Sequence, residues 1–463
     1  MENTFSTRKK CRLFKLVFTV VAITAGSAVH AQSWQNVGMP GFTAGEADYE
    51  SIAFGKNDTP YVAYQDQANN NGPTVMKFNG TSWVVVGTPG FTGNLANYTS
   101  LVMDSSGTPY VIFQDGNDTQ KATVMKYNGS TWEALGSPGL SIGIAGFTSL
   151  AIGSSDTLYA MFADQADSCI PKLSVMKYNG SSWVNIGPPR FSPILTNGAA
   201  IAVHGNTPYI TYPDSSIVQL FNGSNWVPIG APSPLIVGMQ STSLAVDNSG
   251  TPFVAYSDNA NGYKATVIKY NGTAWVTVGS PDFTAGEADN VTIAIDHSGV
   301  PFVVYSDAGT PDYYATVKKF DGTNWVTVGA AGLSGTLAQF PDIAINSAGI
   351  PYVFYQGFSG GQKGTAQKFA TATGVTFPQP TPKEREVLRI FPDPSNGAFT
   401  LHISSPEKED VKIRIVNSIG EMVQERMVPA NTDMVVQLNV PPGIYFINAE
   451  TRNGVFSKKV VLE

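Results

Sequence analysis

The amino-acid sequence predicts an all-β protein: a seven-bladed β-propeller of four-stranded antiparallel blades, followed by a small Ig-like β-sandwich. Two regularities carry this prediction. The seven tryptophans recur at intervals of 49, 49, 51, 43, 49 and 50 residues. An Asn-Gly or Asp-Gly dipeptide precedes six of them, within stretches that alternate between apolar and polar residues as half-buried strands do. A four-stranded repeat with a period of about 40–50 residues is typical of propeller blades.

The clearest copy of the repeat is residues 244–279, which contain four strand-like runs. The first run ends at a turn with Gly250 and Pro252, because Gly tolerates positive φ and Pro cannot continue a ladder. Two alternating runs follow, separated by a polar loop. The dipeptide Asn271-Gly272 then predicts a tight type I′ hairpin turn. Four such strands cannot bury their faces alone, so we expect the copies to pack side by side around an axis.

Seven inner strands can be identified, beginning near Ile52, Leu101, Leu150, Ile201, Leu244, Ile293 and Ile343. The chain also has an outer-type strand around Trp34, before any inner strand. The seventh blade has a weak fourth run, with Gly374 where a tryptophan is expected. We therefore expect the Trp34 strand to complete the seventh blade. The alternative is that residues 375–377 complete it and the Trp34 strand is an extra edge.

Two kinds of longer connection are expected on one face of the propeller. One follows the Tyr-x-Asp motif that ends the second strand, as in residues 65–72, and the other returns to the next inner strand, as in residues 87–98. The opposite face is expected to carry tight hairpins. We call the face with the longer polar loops the loop face. Binding is predicted there, because functional residues concentrate on loops held by a rigid scaffold.

Residues 1–31 are predicted to be a secretory signal peptide, with a basic region, an apolar core at residues 16–25 and small residues before Gln32. The alternative is an N-terminal anchor, but the apolar core is too short to span a bilayer as a stable helix. No other stretch is long or apolar enough to be a transmembrane segment. Removal of the signal would leave Cys169 as the one cysteine, so no intrachain disulfide is expected.

Residues 32–377, the predicted propeller, contain 13 Lys and Arg and 23 Asp and Glu, a net charge of −10. This charge argues against nucleic acid and anionic membrane surfaces as partners. His204, His297 and His402 have no zinc-binding spacing and support no Ser-His-Asp arrangement. The sequence also lacks phosphate-binding and dinucleotide-binding fingerprints. We therefore assign no catalytic residue from the sequence.

The sharpest candidate for a binding site is the aspartate of the Tyr-x-Asp motif, which recurs in six blades with Phe in place of Tyr in blades 2 and 3. The six residues are Asp66, Asp115, Asp164, Asp214, Asp258 and Asp307. At equivalent positions on the loop face, these carboxylates could accept hydrogen bonds from sugar hydroxyls. Carboxylates and loop carbonyls also suit Ca²⁺, which takes about 6–8 oxygen ligands. The calcium hypothesis concerns Asp66, Asp115, Asp258 and Asp307, and no other cofactor is expected.

The alternative for these aspartates is structural: each would accept hydrogen bonds from backbone N–H groups and shape the loop that follows. A residue repeated in six blades more often serves the fold, because a ligand contacts the blades unequally. A second acidic pair, Glu46 and Asp48, recurs as Glu287 and Asp289 in the return loops. A glycosidase needs two carboxyl groups roughly 5–10 Å apart, which these loops could supply. Loop structure explains this repeated pair equally well.

Residues 378–387 are predicted to be a stiff polar linker, because PQPTP is followed by KERE. Residues 388–463 are predicted to form the β-sandwich, with strands at FTLHI, VKIRIVN, DMVVQLNV, GIYFINAE and FSKKVVL. Four motifs of this tail are FPDPSNG (391–397), VNSIG (416–420), PGIYF (442–446) and KKVVL (458–462). In these motifs the tail resembles the C-terminal sorting domain of the bacterial type IX (Por) secretion system. That family more often has Tyr and Asn at the positions of Phe391 and Asp393.

The resemblance of the tail implies a Bacteroidota source and export across the outer membrane by the type IX machinery, which would bind residues 388–463. It also implies removal of the tail on surface attachment or release. The repeats resemble NHL-like and related propellers in the pattern VDNSGTPFVAY. Their turns resemble the Asp boxes of sialidases, but a sialidase needs an arginine triad and the predicted propeller has one arginine, Arg190.

The leading functional hypothesis is therefore a secreted or surface-displayed propeller without enzymatic activity, which binds a glycan or a protein through its loop face. It depends on the missing catalytic set and on the asymmetry of the loops. One alternative is a polysaccharide-active hydrolase or lyase that uses loop-face carboxylates. Another is a structural component of the cell surface or an adhesion protein.

Overall fold

The computed structural model describes residues 32–166, 171–192, 198–212, 217–231, 239–358, 361–371, 388–392, 394–404, 409–417, 422–451 and 454–463. The predicted signal peptide, the predicted linker, Cys169, Asp214 and residues 375–377 lie outside these ranges. The chain divides into two compact units, Met1–Ala372 and Thr373–Glu463. Within the described ranges, no helix is both long and apolar enough to span a membrane.

The described residues of the first unit form seven four-stranded antiparallel sheets, as predicted. Numbered along the chain, blade 1 has strands Ala47–Phe54, Pro60–Asp66, Gly72–Phe78 and Trp83–Val85; blade 2 has Ala96–Met103, Pro109–Asp115, Lys121–Tyr127 and Trp132–Ala134; blade 3 has Ala145–Ile152, Leu158–Asp164, Lys172–Tyr178 and Trp183–Asn185; blade 4 has Ala200–His204, Thr207–Tyr212, Ile217–Phe221 and Trp226–Pro228. Blade 5 has Met239–Val246, Pro252–Asp258, Lys264–Tyr270 and Trp275–Thr277; blade 6 has Ala288–Ile295, Pro301–Asp307, Tyr314–Phe320 and Trp325–Thr327; blade 7 has Ala338–Ile345, Pro351–Gly357, Lys363–Thr371 and Gln32–Asn36. Short 3₁₀ turns occupy Lys56–Asp58, Gln67–Asn69, Gly116–Asp118, Ser154–Asp156 and Asn259–Asn261.

The ring of blades closes through the first described strand. Gln32–Asn36 pairs antiparallel with Lys363–Thr371, and Trp34 lies opposite Phe369. This arrangement confirms the expectation that the Trp34 strand completes the seventh blade. Closing the sheet in this way pairs an edge strand that would otherwise be exposed.

The tryptophans pack between blades and connect each blade to the one before it. In every blade the indole N–H donates to the backbone carbonyl three residues after the tryptophan of the preceding blade. The pairs are Trp34 with Val328, Trp83 with Val37, Trp132 with Val86, Trp183 with Leu135, Trp226 with Ile186, Trp275 with Ile229 and Trp325 with Val278, at 2.6–3.0 Å. The same contact repeated seven times explains why the sequence keeps one tryptophan per blade.

The Asn-Gly hairpins differ from the expected type I′ turn. A four-residue loop joins Tyr270 to Trp275, and within it Gly272 has a φ of 95°. The side chain of Asn271 accepts hydrogen bonds from the N–H groups of Thr273 and Ala274, at 3.0 and 2.9 Å. The asparagine therefore serves through its side chain, as in an Asx turn, and the left-handed residue of the dipeptide is the glycine.

The second unit contains two sheets around one core. Leu388–Phe391, Ala398–Ile403 and Asp433–Gln437 form one sheet, and Met422–Pro429, Asp410–Asn417, Gly443–Thr451 and Gly454–Leu462 form the other in that order. Phe399, Ile413, Ile447 and Val460 are buried in the shared core. The prediction missed Leu388–Phe391 and Met422–Pro429. The latter is an edge strand with mostly exposed or half-buried side chains, so it lacks clear alternation.

Candidate functional site

Six inner strands have a left-handed position near the loop-face end, and in blade 4 this position lies two residues before the inner strand. In the six other blades a β-bulge interrupts the pairing of the first two strands there, for example between Asp48 and Ser51. The residues with positive φ are Tyr49, Tyr98, Phe147, Gly198, Ser241, Asn290 and Phe340. All seven line one pocket. A bulge re-aims the side chains beside it, and here the repetition brings one residue from each blade to the same place.

Four of these seven residues are aromatic and occupy consecutive blades, in the order 7, 1, 2 and 3. The ring centroids of Phe340 and Tyr49 are 5.5 Å apart, those of Tyr49 and Tyr98 are 4.9 Å apart, and those of Tyr98 and Phe147 are 5.2 Å apart. We call these four residues the aromatic arc. The same positions in blades 4, 5 and 6 hold small or polar residues: Gly198, Ser241 and Asn290. The pocket therefore has an aromatic half and a polar half.

The aromatic arc is held in an unfavourable backbone conformation. The φ angles of Tyr49 and Tyr98 are 55°, and those of Phe147 and Phe340 are 49°. A bulky residue in this region costs about 1–3 kcal/mol and is retained only where surrounding contacts compensate. Such positions concentrate at ligand-binding and active sites.

The pocket enclosed by these residues has a volume of about 660 Å³. Its lining comes from six inner strands, from Gly198 and Ala199 just before the inner strand of blade 4, and from Asn259, which follows Asp258 in a loop on the loop face. Its size lies within the range of about 300–1,000 Å³ that is usual for small-molecule sites. The pocket thus lies on the face where the sequence predicts binding, but at the centre of the ring and not among the loop tips.

Hydroxyl groups fix the blades to one another around the pocket. The hydroxyl of Ser51 accepts a hydrogen bond of 3.1 Å from the amide of Leu101 in the next blade, and Ser100 and Ser243 do the same for Leu150 and Ile293. The hydroxyls of Thr99, Thr148 and Thr242 donate to the carbonyls of Tyr49, Tyr98 and Gly198 in the preceding blade. Hydrogen bonds between neighbouring blades therefore hold the pocket wall together.

Two carboxyl groups replace these hydroxyls where blade 7 meets blade 1. Asp342 occupies the position of Ser51, and its carboxylate accepts hydrogen bonds of 2.9 Å from the amides of Ile52 and Ile343. The side chain is half-buried. Loss of surrounding water raises the pKa of Asp342 to about 6, although the two amides favour the ionised form.

Glu50 occupies the position of Thr99, and its side chain is 7 % exposed. Neither of its carboxyl oxygens has a hydrogen-bond partner among the described residues. Burial raises the pKa of Glu50 well above its ordinary value, against a smaller opposing effect of its own backbone N–H. The negative charges of Asp48, Asp342 and Glu46 raise it further. A buried carboxyl group without a partner is costly, which makes Glu50 the most unusual polar group in the pocket wall.

The Tyr-x-Asp aspartates predicted as ligands lie at the ends of the second strands and form turns. Their side chains accept hydrogen bonds from the backbone N–H two residues later; the pairs are Asp66 with Ala68, Asp115 with Asn117, Asp164 with Ala166, Asp258 with Ala260 and Asp307 with Gly309. This geometry is the structural alternative given above, and Asp214 lies outside the described residues. Across the described ranges, no three His, Cys, Asp or Glu residues come together as a metal-binding group. Calcium binding and glycan binding by these aspartates remain predictions.

The return-loop pairs lie immediately before the pocket residues of blades 1 and 6. The amide of Gln356 in blade 7 donates to Asp48 at 2.7 Å, and the hydroxyl of Tyr313 donates to Glu287 at 3.3 Å. Burial raises the pKa of Asp48, and burial followed by the charge of Glu287 raises that of Asp289. The two pairs belong to different blades, so a catalytic role for Glu46, Asp48, Glu287 and Asp289 remains a prediction.

The aromatic arc, Glu50 and Asp342 were not predicted from the sequence. A signal for them does exist in the aligned bulge triplets YES, YTS, FTS, GAA, STS, NVT and FPD, which begin at residues 49, 98, 147, 198, 241, 290 and 340. The second residue is Thr in three triplets and the third is Ser in four, whereas Glu50 and Asp342 place a carboxyl group at these positions. Residues that repeat in most blades stabilise the fold, whereas Glu50 and Asp342 distinguish the junction of blades 7 and 1 from the other junctions.

Comparison with known proteins gives one family match, which lies in the C-terminal part of the chain. Residues 389–463 match the family described as the secretion system C-terminal sorting domain. No curated protein matches the chain. Among solved structures, the chain is similar to a protein of unknown function from Dyadobacter fermentans, with 11 % identity over 73 % of this chain and 99 % of that chain and a TM-score of 0.45.

Two further solved structures are similar at the same low level. The lectin of Aleuria aurantia is 12 % identical over 63 % of this chain and 97 % of that chain, with a TM-score of 0.44. The α-L-arabinanase of Penicillium chrysogenum is 11 % identical over 74 % of this chain and 98 % of that chain, with a TM-score of 0.43. The finer resemblance to NHL-like repeats remains a prediction. The chain is an all-β protein in which a β-propeller precedes a C-terminal sorting domain, and this domain indicates secretion or cell-surface export by the type IX system.

Proposed function

We propose that this protein is an extracellular carbohydrate-binding propeller without catalytic activity, and that its central pocket on the loop face holds a saccharide. The observation that carries the proposal is the aromatic arc. Phe340, Tyr49, Tyr98 and Phe147 present neighbouring half-buried rings to one side of the pocket. Aromatic rings provide rigid contact area for the C–H face of a sugar ring, and the two tyrosines add hydroxyl groups that can hydrogen-bond.

The other half of the pocket supplies the polar contacts that a sugar needs. Asn290, Ser241 and Asn259 line it, and Gly198 leaves room because it has no side chain. Small-molecule sites commonly combine such apolar and aromatic walls with a few placed polar groups. A protein ligand fits this pocket less well than a saccharide, because standard protein interfaces are flatter and bury about 800 Å² per partner.

The carboxyl groups of the pocket wall favour binding over catalysis. Both oxygens of Asp342 accept hydrogen bonds from backbone amides, and the oxygens of Glu50 are covered in the unliganded pocket. Glycoside hydrolysis needs two carboxyl groups that reach the scissile bond from opposite sides. A hydrolase or lyase remains the second candidate, favoured by the raised pKa of Glu50, since a general acid must hold its proton near neutral pH.

A binding experiment with matched variants tests the proposal. Purified protein is screened against immobilised glycans, and the best binders are measured by titration calorimetry. We expect Tyr98→Ala to weaken binding at least tenfold, because it removes one ring from the centre of the arc. Tyr263→Ala is the control: Tyr263 is another tyrosine with positive φ, in the loop after Asp258, but it does not line the pocket.

Three outcomes would contradict the proposal. If the protein binds no glycan, the proposal is wrong. If Tyr98→Ala and Tyr263→Ala bind a glycan with equal affinity, the binding site lies outside the pocket. Release of reducing or unsaturated ends from a bound polysaccharide, lost in Glu50→Gln, would replace binding with the second candidate.

A further inference from the structure

The junction of blades 7 and 1 carries charge that the fold does not require. At the third position of the bulge triplet, Ser51, Ser100 and Ser243 hold the amide of the next blade with a neutral hydroxyl. Asp342 makes the same contact with a carboxylate. At the second position, threonine hydroxyls donate to the preceding blade, while Glu50 has no partner for either oxygen. Among the departures from the hydroxyl pattern, Glu50 and Asp342 are the two that introduce a carboxyl group, and both lie at one junction. A neutral hydroxyl makes the same inter-blade contacts elsewhere, so the fold does not require these charges.

These two carboxyl groups lie at the end of the aromatic arc that Phe340 and Tyr49 form. Glu50 follows Tyr49 directly, and Asp342 lies two residues after Phe340 in the neighbouring blade. All four residues line the pocket, and its described lining contains no Lys, Arg or His. The pocket wall thus combines aromatic faces with acidic groups that no cation of the lining neutralises. Aromatic faces attract cations through the ring quadrupole, and a desolvated carboxylate attracts them through its charge.

We propose that the central pocket selects a saccharide that carries a free ammonium group, which Asp342 and Glu50 hold beside the rings of the aromatic arc. This inference rests on the proposed saccharide-binding function and specifies its ligand. An ammonium group has three N–H donors. Each oxygen of Asp342 accepts one backbone amide and keeps a further lone pair, and both oxygens of Glu50 are free to accept once the side chain turns towards the ligand.

The same geometry excludes acidic sugars. A uronate carboxylate or a sulfate ester would meet Asp342 and Glu50 with no basic side chain in the described lining to compensate. Burying an uncompensated anion next to two carboxyl groups combines a desolvation penalty with like-charge repulsion. Neutral sugars keep the stacking contacts but leave Glu50 without a charged partner. We therefore expect affinity to fall in the order amino sugar, neutral sugar, acidic sugar.

Binding of an ammonium group should release a proton. The titratable groups that face Glu50 are Glu46 and Asp48 of its own blade and Asp342 of blade 7, and all of them are acidic. Without a ligand, burial raises the pKa of both Glu50 and Asp342 and so favours their protonated forms. A bound cation favours the ionised forms, so its binding should displace protons from the pair. A neutral sugar provides no such driving force.

The test compares oligosaccharides of glucosamine, N-acetylglucosamine and glucuronic acid of equal length. Titration calorimetry at pH 6 in two buffers of different ionisation enthalpy measures both affinity and proton release. For the unmodified protein we expect at least tenfold tighter binding of the glucosamine oligomer than of its N-acetyl counterpart, with proton release for the former alone. Glu50→Gln and Asp342→Ser should each reduce the preference to less than threefold and abolish the proton release.

Two controls keep the outcomes separate. Asp312→Asn removes a carboxylate from an exposed loop-face residue outside the pocket lining and should leave the preference unchanged. Glu50→Thr places in blade 1 the residue that blade 2 has at the same position. If this variant loses the preference for amino sugars but still binds neutral sugars, misfolding cannot explain the loss.

Equal affinity for amino and neutral sugars, both weakened by Tyr98→Ala, would overturn the ammonium proposal and leave saccharide binding intact. Binding of no oligosaccharide in a full glycan screen would overturn the proposed function itself.

Discussion

The carboxylate of Asp342 accepts a hydrogen bond of 2.9 Å from the amide of Ile52, across 290 residues of sequence, and so joins the last blade to the first at the central pocket. Blades 1, 2 and 5 make this contact with the serine hydroxyls of Ser51, Ser100 and Ser243. Because burial raises the pKa of Asp342 from 3.8 to about 6, its ionisation destabilises the folded state. A group whose pKa is higher in the folded than in the unfolded protein makes its full contribution to stability below the unfolded-state pKa. This contribution is lost as the pH rises through the folded-state pKa.

Asp342→Ser should therefore flatten the dependence of stability on pH between about pH 4 and pH 6. A shift of this size corresponds to about 3 kcal/mol, and partial exposure of the side chain reduces the expected effect to about 2 kcal/mol. Serine keeps the acceptor for Ile52, so the variant should gain stability relative to the unmodified protein as the pH rises. Urea denaturation at pH 4, 5, 6 and 7 measures this difference. Parallel curves for the two proteins would contradict the assignment.

Glu50→Thr should stabilise the protein at neutral pH. The substitution removes a buried carboxyl group without a partner and introduces a hydroxyl that can donate to the preceding blade, as Thr99 does. We expect a gain of about 1–3 kcal/mol, the usual cost of an unsatisfied buried polar group. The gain should shrink at low pH, because the raised pKa of Glu50 means that the unmodified protein regains stability there. Denaturant midpoints at pH 4 and pH 7 check the sign, and Glu287→Gln, a loop-face carboxyl outside the lining, is the comparison.

The left-handed backbone of the aromatic arc predicts an unusual order of stability at Tyr98. In ordinary strands glycine is less stable than alanine by about 0.5–1 kcal/mol. At the φ of 55° found for Tyr98, this order should reverse, with Tyr98→Gly more stable than Tyr98→Ala by about 1 kcal/mol. Thermal and urea unfolding of both variants would show it, and both should lose saccharide binding equally. A more stable alanine variant would mean that the position is not left-handed in solution.

Ring closure depends on the Trp34 strand. The indole N–H of Trp34 donates to the carbonyl of Val328 at 2.7 Å, and its ring packs 5.5 Å from that of Phe369. Because the side chain is half-buried, Trp34→Ala should cost about 2–3 kcal/mol, below the range for a fully buried aromatic residue. Ser33→Ala, at an exposed position of the same strand, should be neutral. An unchanged melting temperature for Trp34→Ala would show that the ring does not need this strand.

The sequence by itself determined the repeat, the number of blades and the sorting domain, and it favoured the Trp34 strand as the one that closes the ring. These features have local signals: a tryptophan at a regular interval, an Asn-Gly turn, alternation between apolar and polar residues, and short motifs in the tail. Such signals arise from backbone sterics and from strand pairing within one repeat, so they can be read along the chain. The edge strand Met422–Pro429 was not predicted, because side chains on both of its faces are exposed and the strand lacks an alternation of apolar and polar residues.

Only the tertiary structure decided where the candidate site is. Tyr49 and Asn290 are far apart in the sequence but line the same pocket, because the blades surround a common axis. The left-handed bulge of Tyr49 contradicts the ordinary preference of a bulky residue and is imposed by packing between blades. The charge of Asp342 acts on Glu50 although the two residues are far apart in the sequence, because blades 7 and 1 are neighbours in the ring. A ring places one side chain from each repeat at its centre, and what that set of side chains can bind emerges only when all seven are assembled.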